Sequence, residues 1–115
     1  FLLREDWETA GCYAYEVGMG ALPEAAPVAL CAMSRHLPIE TGPEVDGREL
    51  VDGVIHTRLS DRPRDDWPEA YRLAHHHTER IVNLETPSSR PLAQRVAAQA
   101  DAVRALARWA AELVP

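Results

Sequence analysis

The sequence predicts an all-α fold, a bundle of four or five helices that ends in an antiparallel helical hairpin. Three observations support this prediction. Apolar residues recur every three or four positions, residues typical of helix starts precede these stretches, and prolines fall in first turns or beyond helix ends. We expect a single domain over 1–115, or a fragment of a longer chain, because the first residue is Phe1 rather than Met. An α+β fold, with a strand or hairpin at 46–60, is the alternative.

The first two predicted helices cover residues 2–21 and 27–37. The apolar positions of the first helix alternate between spacings of four and three, which is typical of an amphipathic helix. These positions are Leu3, Trp7, Ala10, Ala14, Val17 and Ala21. The second helix has Pro27 in its first turn and ends before Pro38, because a residue that precedes proline is driven out of the α region.

Residues 46–60 allow two interpretations. A helix is indicated by a capping box, in which the side chains of Asp46 and Glu49 each accept a hydrogen bond from the other's backbone N–H, and by the apolar residues that follow. Strands are indicated by Asp-Gly pairs at 46–47 and 52–53, which are typical of tight hairpin turns, and by alternating apolar residues. We favour the helix.

The last two predicted helices, 66–85 and 89–114, form the C-terminal hairpin. A second capping box, of Asp66 and Glu69, begins the first of them, and Pro87 follows its end. Two serines and a first-turn proline begin the second. Its apolar face comprises Leu92, Val96, Val103, Leu106, Ala110, Leu113 and Val114.

Two polar residues fall on the apolar faces of this hairpin. His77 lies in the middle of one face, and Gln99 stands alone on the other. An amide buried without a partner costs about 1–3 kcal/mol. The short turn between the helices would bring both side chains into the same interior, so we predict a structural His77–Gln99 hydrogen bond that fixes the helix register. The alternative is that one or both reach water at the bundle edge.

One pair of residues has the spacing of metal ligands. The histidines 75–77 point 100° apart on a helix, so they cannot bind one ion together. His75 and Glu79, four residues apart, share one side of the helix, and His36, His56 or an acidic residue would complete the site. A solvated flank, in which Glu79 pairs with a nearby histidine or arginine, is the simpler interpretation. A divalent metal is therefore the alternative, and no other cofactor is predicted.

Two further motifs do not support a catalytic site. Asp65-Asp66-x-x-Glu69 resembles the aspartate-rich magnesium-binding sequence of isoprenoid enzymes, but helix capping accounts for it. The sequence around Cys12 resembles the cysteine–aromatic context of papain-like nucleophiles. Its predicted position in the middle of a helix removes the helix N-terminus that activates such thiols. We predict no catalytic residue.

Charge and composition exclude several classes of function. The net charge is −6, and it divides into −8 over 1–70 and +2 over 71–115, which disfavours nucleic-acid binding. The longest weakly charged run, 17–34, contains a glutamate and two prolines, so no membrane span is predicted. Two cysteines, Cys12 and Cys31, favour reduced thiols in a cytoplasm. The alanine-rich composition without lysine is typical of a GC-rich bacterial genome.

These observations favour a small bacterial helical module that works by protein–protein interaction, as a regulator or accessory subunit rather than an enzyme. Its partner would be another protein or a second copy of the chain. Trp109, near the border of its helix's apolar face, is the candidate partner contact if it is exposed, and core if it is not. The alternative function is a metal-binding protein or metal-dependent enzyme that uses His75 and Glu79.

Overall fold

A computed structural model gives the protein an α+β fold in the residues that it describes, which are 2–6, 9–18, 25–58 and 80–113. The strands in these residues are β1 (Leu2–Asp6), β2 (Tyr13–Gly18), β3 (Glu44–Val45), β4 (Arg48–Glu49), β5 (Val54–Arg58) and β6 (Arg80–Pro87). The helices are α1 (Ala26–Met33) and α2 (Leu92–Leu113). Four strands form a mixed sheet in the order β1-β6-β2-β5, while β3 and β4 form a separate hairpin.

The strand directions bring several strand ends together at one end of the sheet. β1 runs parallel to β6, β6 runs antiparallel to β2, and β2 runs parallel to β5. The carboxyl ends of β1 and β6 therefore lie beside the amino ends of β2 and β5. We call this region the Glu85 end, because Glu85 pairs there with Tyr13 across the β6–β2 ladder.

One face of the sheet, the helix face, packs against both helices. Successive strand residues point to opposite faces, and on this face Ala14, Val54, Val82 and Leu84 join one apolar cluster with the helices. The helices contribute Ala26, Ala29, Leu30, Met33, Ala98, Ala102 and Leu106. Since many of these residues are alanine, α1 and α2 can lie close to each other and to the sheet.

The opposite face, the tyrosine face, is formed by the alternate residues of the same strands. On β2 and β6 these residues are Tyr13, Tyr15, Val17, Ile81, Asn83 and Glu85. Val45 and Leu50, from the β3–β4 hairpin and the residue after it, pack against Tyr13 and Ile55. The hairpin therefore covers part of this face.

The prediction of an all-α bundle is wrong, because three of its predicted helices contain strands. Residues 2–21 hold β1 and β2. β2 is buried on both faces, so most of its residues are apolar and their positions also match helical spacing. Residues 80–85 belong to β6, so a strand rather than the predicted helix leads into α2. The rest of that predicted helix, 66–79, lies outside the described residues.

Residues 46–60 follow the strand interpretation rather than the helix that we favoured. Asp46 and Gly47 have φ angles of 53° and 73°, and Asp52 and Gly53 have φ angles of 51° and 80°. Two successive residues with positive φ are the requirement of the tight turns that join hairpin strands. Glycine is favoured at position 53 for a second, steric reason, because a Cβ there would lie 2.6 Å from Cγ2 of Ile39.

Two helix predictions agree with the structure. α1 lies within the predicted 27–37 apart from its first residue, and it has a proline in its first turn. α2 lies within the predicted 89–114. Both were marked by proline and apolar spacing together, which a strand does not combine.

Candidate functional site

A buried carboxylate marks the Glu85 end of the sheet. The Glu85 side chain is on the tyrosine face, two residues before the end of β6, and the residue is 9% exposed. A buried carboxylate costs free energy unless it is paired, so such a group is retained for a structural or chemical reason. In open α/β sheets, ligands bind in the crevice outside the carboxyl ends of the parallel strands. This sheet is mixed, and its parallel pair β1 and β6 ends here beside the amino ends of β2 and β5.

Two tyrosines on β2 lie beside Glu85. Tyr13 is the cross-strand neighbour of Glu85 and is 1% exposed. Its ring centroid is 5.7 Å from that of Tyr15. The Tyr15 hydroxyl donates a hydrogen bond of 3.2 Å to Oδ2 of Asp46. Burial raises the pKa of Tyr15, and the negative charges of Asp46 and Glu85 raise it further, so this phenol stays protonated and remains a donor.

The β3–β4 hairpin is fastened over this face by polar contacts as well as by packing. Arg48 donates from Nη2 to the backbone oxygen of His56 at 3.3 Å, and also to the hydroxyl of Thr57. Asp46, in the hairpin turn, receives the Tyr15 hydrogen bond. The hairpin is thus tied to both β5 and β2.

Two other inward carboxylates have structural roles. Glu16 accepts hydrogen bonds from the backbone N–H groups of Ala25 (2.7 Å) and Ala26 (2.9 Å) and pairs with Arg80. α1 has no side-chain cap of its own, so a strand residue satisfies its first amides.

Glu40 also accepts hydrogen bonds from backbone N–H groups, in the loops at the Glu85 end. Its Oε2 accepts from the N–H groups of Ala10 (3.1 Å) and Gly11 (3.0 Å), and its Oε1 accepts from Gly42 (3.2 Å). A Cβ on Gly11 would lie 2.5 Å from the Glu40 nitrogen, so only glycine allows this approach. Glu40 therefore holds two loops together.

A further polar cluster joins the two helices. His36, just beyond α1, contacts Oδ2 of Asp101 at 2.6 Å, and Arg104 donates to its Oδ1 at 2.8 Å. The His36 hydrogen bond, with a smaller contribution from Arg104, lowers the pKa of Asp101. This cluster fixes α2 against α1 on the helix face, away from Glu85.

The predicted site residues have different outcomes. His75, His77 and Glu79 lie outside the described residues, so the metal pair and the His77–Gln99 bond stay predictions. Gln99 donates from Nε2 to the backbone oxygen of Leu84 at 3.4 Å, so at least one of its contacts is with β6. Trp109 is half-buried against the core and lines a groove between α1 and α2.

Cys12 lies directly before β2, not in the middle of a helix as the sequence predicts. It is fully buried, and burial raises the pKa of its thiol to about 11, which disfavours the reactive thiolate. Both cysteines are free thiols, with Cys12 buried and Cys31 exposed. Across 9–18, 25–58 and 80–113 no three His, Cys, Asp or Glu side chains are grouped as a metal site would require.

The sequence reasoning missed Glu85, Tyr13 and Tyr15. The available signal in β2 was a pair of tyrosines two residues apart, which share one face of a strand. In β6 it was a glutamate that follows a run with β-branched residues and precedes Thr-Pro.

The fold is similar to that of three solved structures from Shewanella species, each described as a putative metallopeptidase. The protein from Shewanella amazonensis matches with a TM-score of 0.73 and 22% identity, over 90% of this chain and 38% of that chain. The Shewanella baltica protein matches with a TM-score of 0.73 and 23% identity, over 90% of this chain and 37% of that chain. The Shewanella denitrificans protein matches with a TM-score of 0.73 and 19% identity, over 89% of this chain and 37% of that chain. At such identities the likeness shows the fold alone.

This chain spans less than half the length of the structures it matches. No family model and no curated protein matches the sequence. The described part of the chain contains two sheets, so the prediction that the module is a helical bundle is wrong. That it works through a protein partner or a second copy stays a prediction. Neither helix in the described part of the chain has the length and apolar character to cross a membrane.

Proposed function

We propose that this chain is part of a metal-dependent hydrolase of the metallopeptidase kind, with Glu85 in its reaction centre. Two independent observations support the proposal. The fold is similar to solved structures described as metallopeptidases. The buried carboxylate of Glu85 lies where the parallel strands β1 and β6 end, which is where ligands bind in open sheets. The second observation carries the residue assignment.

Glu85 has the chemistry that amide hydrolysis needs from a general base. A carboxylate beside the scissile bond takes a proton from the attacking water and returns it to the leaving nitrogen. The side chains of Tyr13 and Tyr15 lie beside Glu85 on the same face of the sheet. Because the pKa of Tyr15 is raised, its hydroxyl stays neutral and can donate a hydrogen bond to an oxygen that becomes negative during the reaction.

The described residues do not by themselves provide a metal site, so no step of the reaction is assigned to a metal. The ligands proposed from the sequence are His75 and Glu79, four residues apart and directly before β6. His76 has the same chemistry, but in the helix that the sequence predicts it would point 100° away from His75. It is therefore a matched control.

The test is elemental analysis and peptide hydrolysis with the untagged protein that contains this chain. We expect about one zinc, iron or manganese ion per chain, and hydrolysis that is abolished by a chelator and restored by the metal. His75→Ala should lose the metal, while His76→Ala should retain it. Protein without stoichiometric metal, or hydrolysis that survives chelation, would contradict the proposal.

A further inference from the structure

We propose that the outer edge of β1 and one flank of α2 form the docking face for a further strand and helix of the same polypeptide, outside these 115 residues. The flank, which we call the outer flank, consists of Leu92, Val96, Val103 and Ala110. The inference deepens the proposed function and rests on it in one respect, because the docked segment would complete the hydrolase fold around Glu85.

The contacts of α2 show which way the outer flank points. One side of the helix faces α1, where Asp101 meets His36 and Trp109 lines the shared groove. A second side is buried against the sheet through Ala98, Ala102 and Leu106. At 100° per residue the outer flank lies beyond this second side, away from α1. Since α1 packs on β2 and α2 packs on β6, the outer flank points towards β1.

The outer flank is apolar and open in the described structure. Leu92 is 65% exposed and Val96 is 58% exposed. The charged residues of α2 after its first turn lie on other sides of the helix, and these are Asp101, Arg104, Arg108 and Glu112. The earlier Arg95 folds back, and its Nε donates to the backbone oxygen of Arg90 at 3.0 Å. A helix that turns aliphatic side chains to solvent and keeps them free of charge indicates a missing neighbour.

The edge of β1 lies on the same side of the molecule. β1 is the last strand in the sheet order, and within the described residues β6 is the strand that pairs with it. An edge strand presents unpaired N–H and C=O groups that a further strand can join. A strand beside β1 with a helix packed on the outer flank would continue the two layers that already exist.

The neighbours indicate what occupies this face. The chain covers 38% of the Shewanella amazonensis protein and 37% of the other two, so well over half of each neighbour lies outside the match. A fold of that size needs a larger sheet or a second unit. The described part of this chain offers one place where an open strand edge and an open apolar helix flank adjoin.

The test compares two preparations by hydrogen–deuterium exchange, namely this chain alone and the polypeptide encoded by its complete reading frame. We expect the amides of β1 to exchange at least tenfold more slowly in the complete polypeptide. The double variant L92E/V96E should leave the helix content of the chain alone unchanged, because both side chains are exposed there. In the complete polypeptide it should lower the melting temperature by several degrees more than the control Ala93→Glu, an exposed residue of the same first turn.

Four results would overturn the inference. The first is a reading frame that ends with these residues, and the second is equal amide exchange of β1 in both preparations. The third is protection of β1 that disappears on dilution, because a second copy of the chain would then be the occupant. The fourth is an equal change of melting temperature in L92E/V96E and Ala93→Glu. A complete polypeptide that protects β1 but holds no metal would contradict the proposed function and leave the docking face intact. Metal-dependent hydrolysis by a complete polypeptide in which β1 is not protected would support the proposed function and contradict the docking face.

Discussion

The two faces of the sheet differ in what their polar groups do. On the helix face the surroundings are aliphatic, and the buried acid Glu16 is held by two backbone amides and Arg80. On the tyrosine face, Tyr13, Tyr15 and Glu85 lie together at the end of the sheet where strands β1 and β6 stop. The first arrangement stabilises the fold, and the second is where we propose the reaction site.

The alternation of a strand separates these roles between residues that are neighbours in sequence. Leu84 is fully buried in the core with the helices, and Glu85 is on the opposite face. We therefore expect a substitution of Leu84 to change the free energy of unfolding, and a substitution of Glu85 to change the rate of hydrolysis.

The largest effect on stability is expected for Leu84→Ala. Loss of a fully buried leucine side chain leaves a cavity and should lower the free energy of unfolding by about 2–5 kcal/mol. Urea denaturation measures this effect. An exposed position on the other side of the sheet, Glu44→Gln, should change the same quantity by less than about 0.5 kcal/mol. If the two variants were equally stable, the helix face would not be the main source of stability.

A smaller effect, on the tyrosine face, is expected for Asp46→Asn. The aspartate charge is one of the causes of the raised pKa of Tyr15, so its removal should shift that pKa down towards the ordinary value of 10.0. Stability linked to the protonated phenol is fully present below pH 10.0 and is lost as the pH rises through the raised pKa, so the variant should resist alkaline unfolding better in that respect. NMR titration of Tyr15 measures the shift, with Glu49→Gln as control. An unchanged pKa would show that Asp46 does not act on Tyr15.

The sequence was informative where local signals and tertiary structure agree. α2 combines a first-turn proline with a long apolar period, and its bounds were predicted closely. β2 misled the prediction because it is buried on both faces, so its apolar residues also match helical spacing. The Asp-Gly pairs at 46–47 and 52–53 were a reliable turn signal that the capping box at Asp46 obscured.

The candidate site could not be predicted from spacing, because its members are distant in sequence. Tyr13 and Glu85 are brought together by the antiparallel pairing of β2 with β6, and Asp46 arrives from a hairpin between them. A helix over 2–21 would make neither contact. Glu16 likewise caps α1 from the neighbouring layer, a contact that the spacing of residues in the sequence does not reveal.

The most direct test of the central claim is the turnover of Glu85→Gln, measured in the metal-loaded protein that contains this chain. The variant keeps the shape of the side chain and removes the base, so kcat should fall about 10²- to 10⁴-fold while KM and metal content stay unchanged. Glu85→Asp, which retains a carboxylate, should recover part of the loss. A Glu85→Gln protein that is folded, metal-loaded and as active as the wild type would contradict the account.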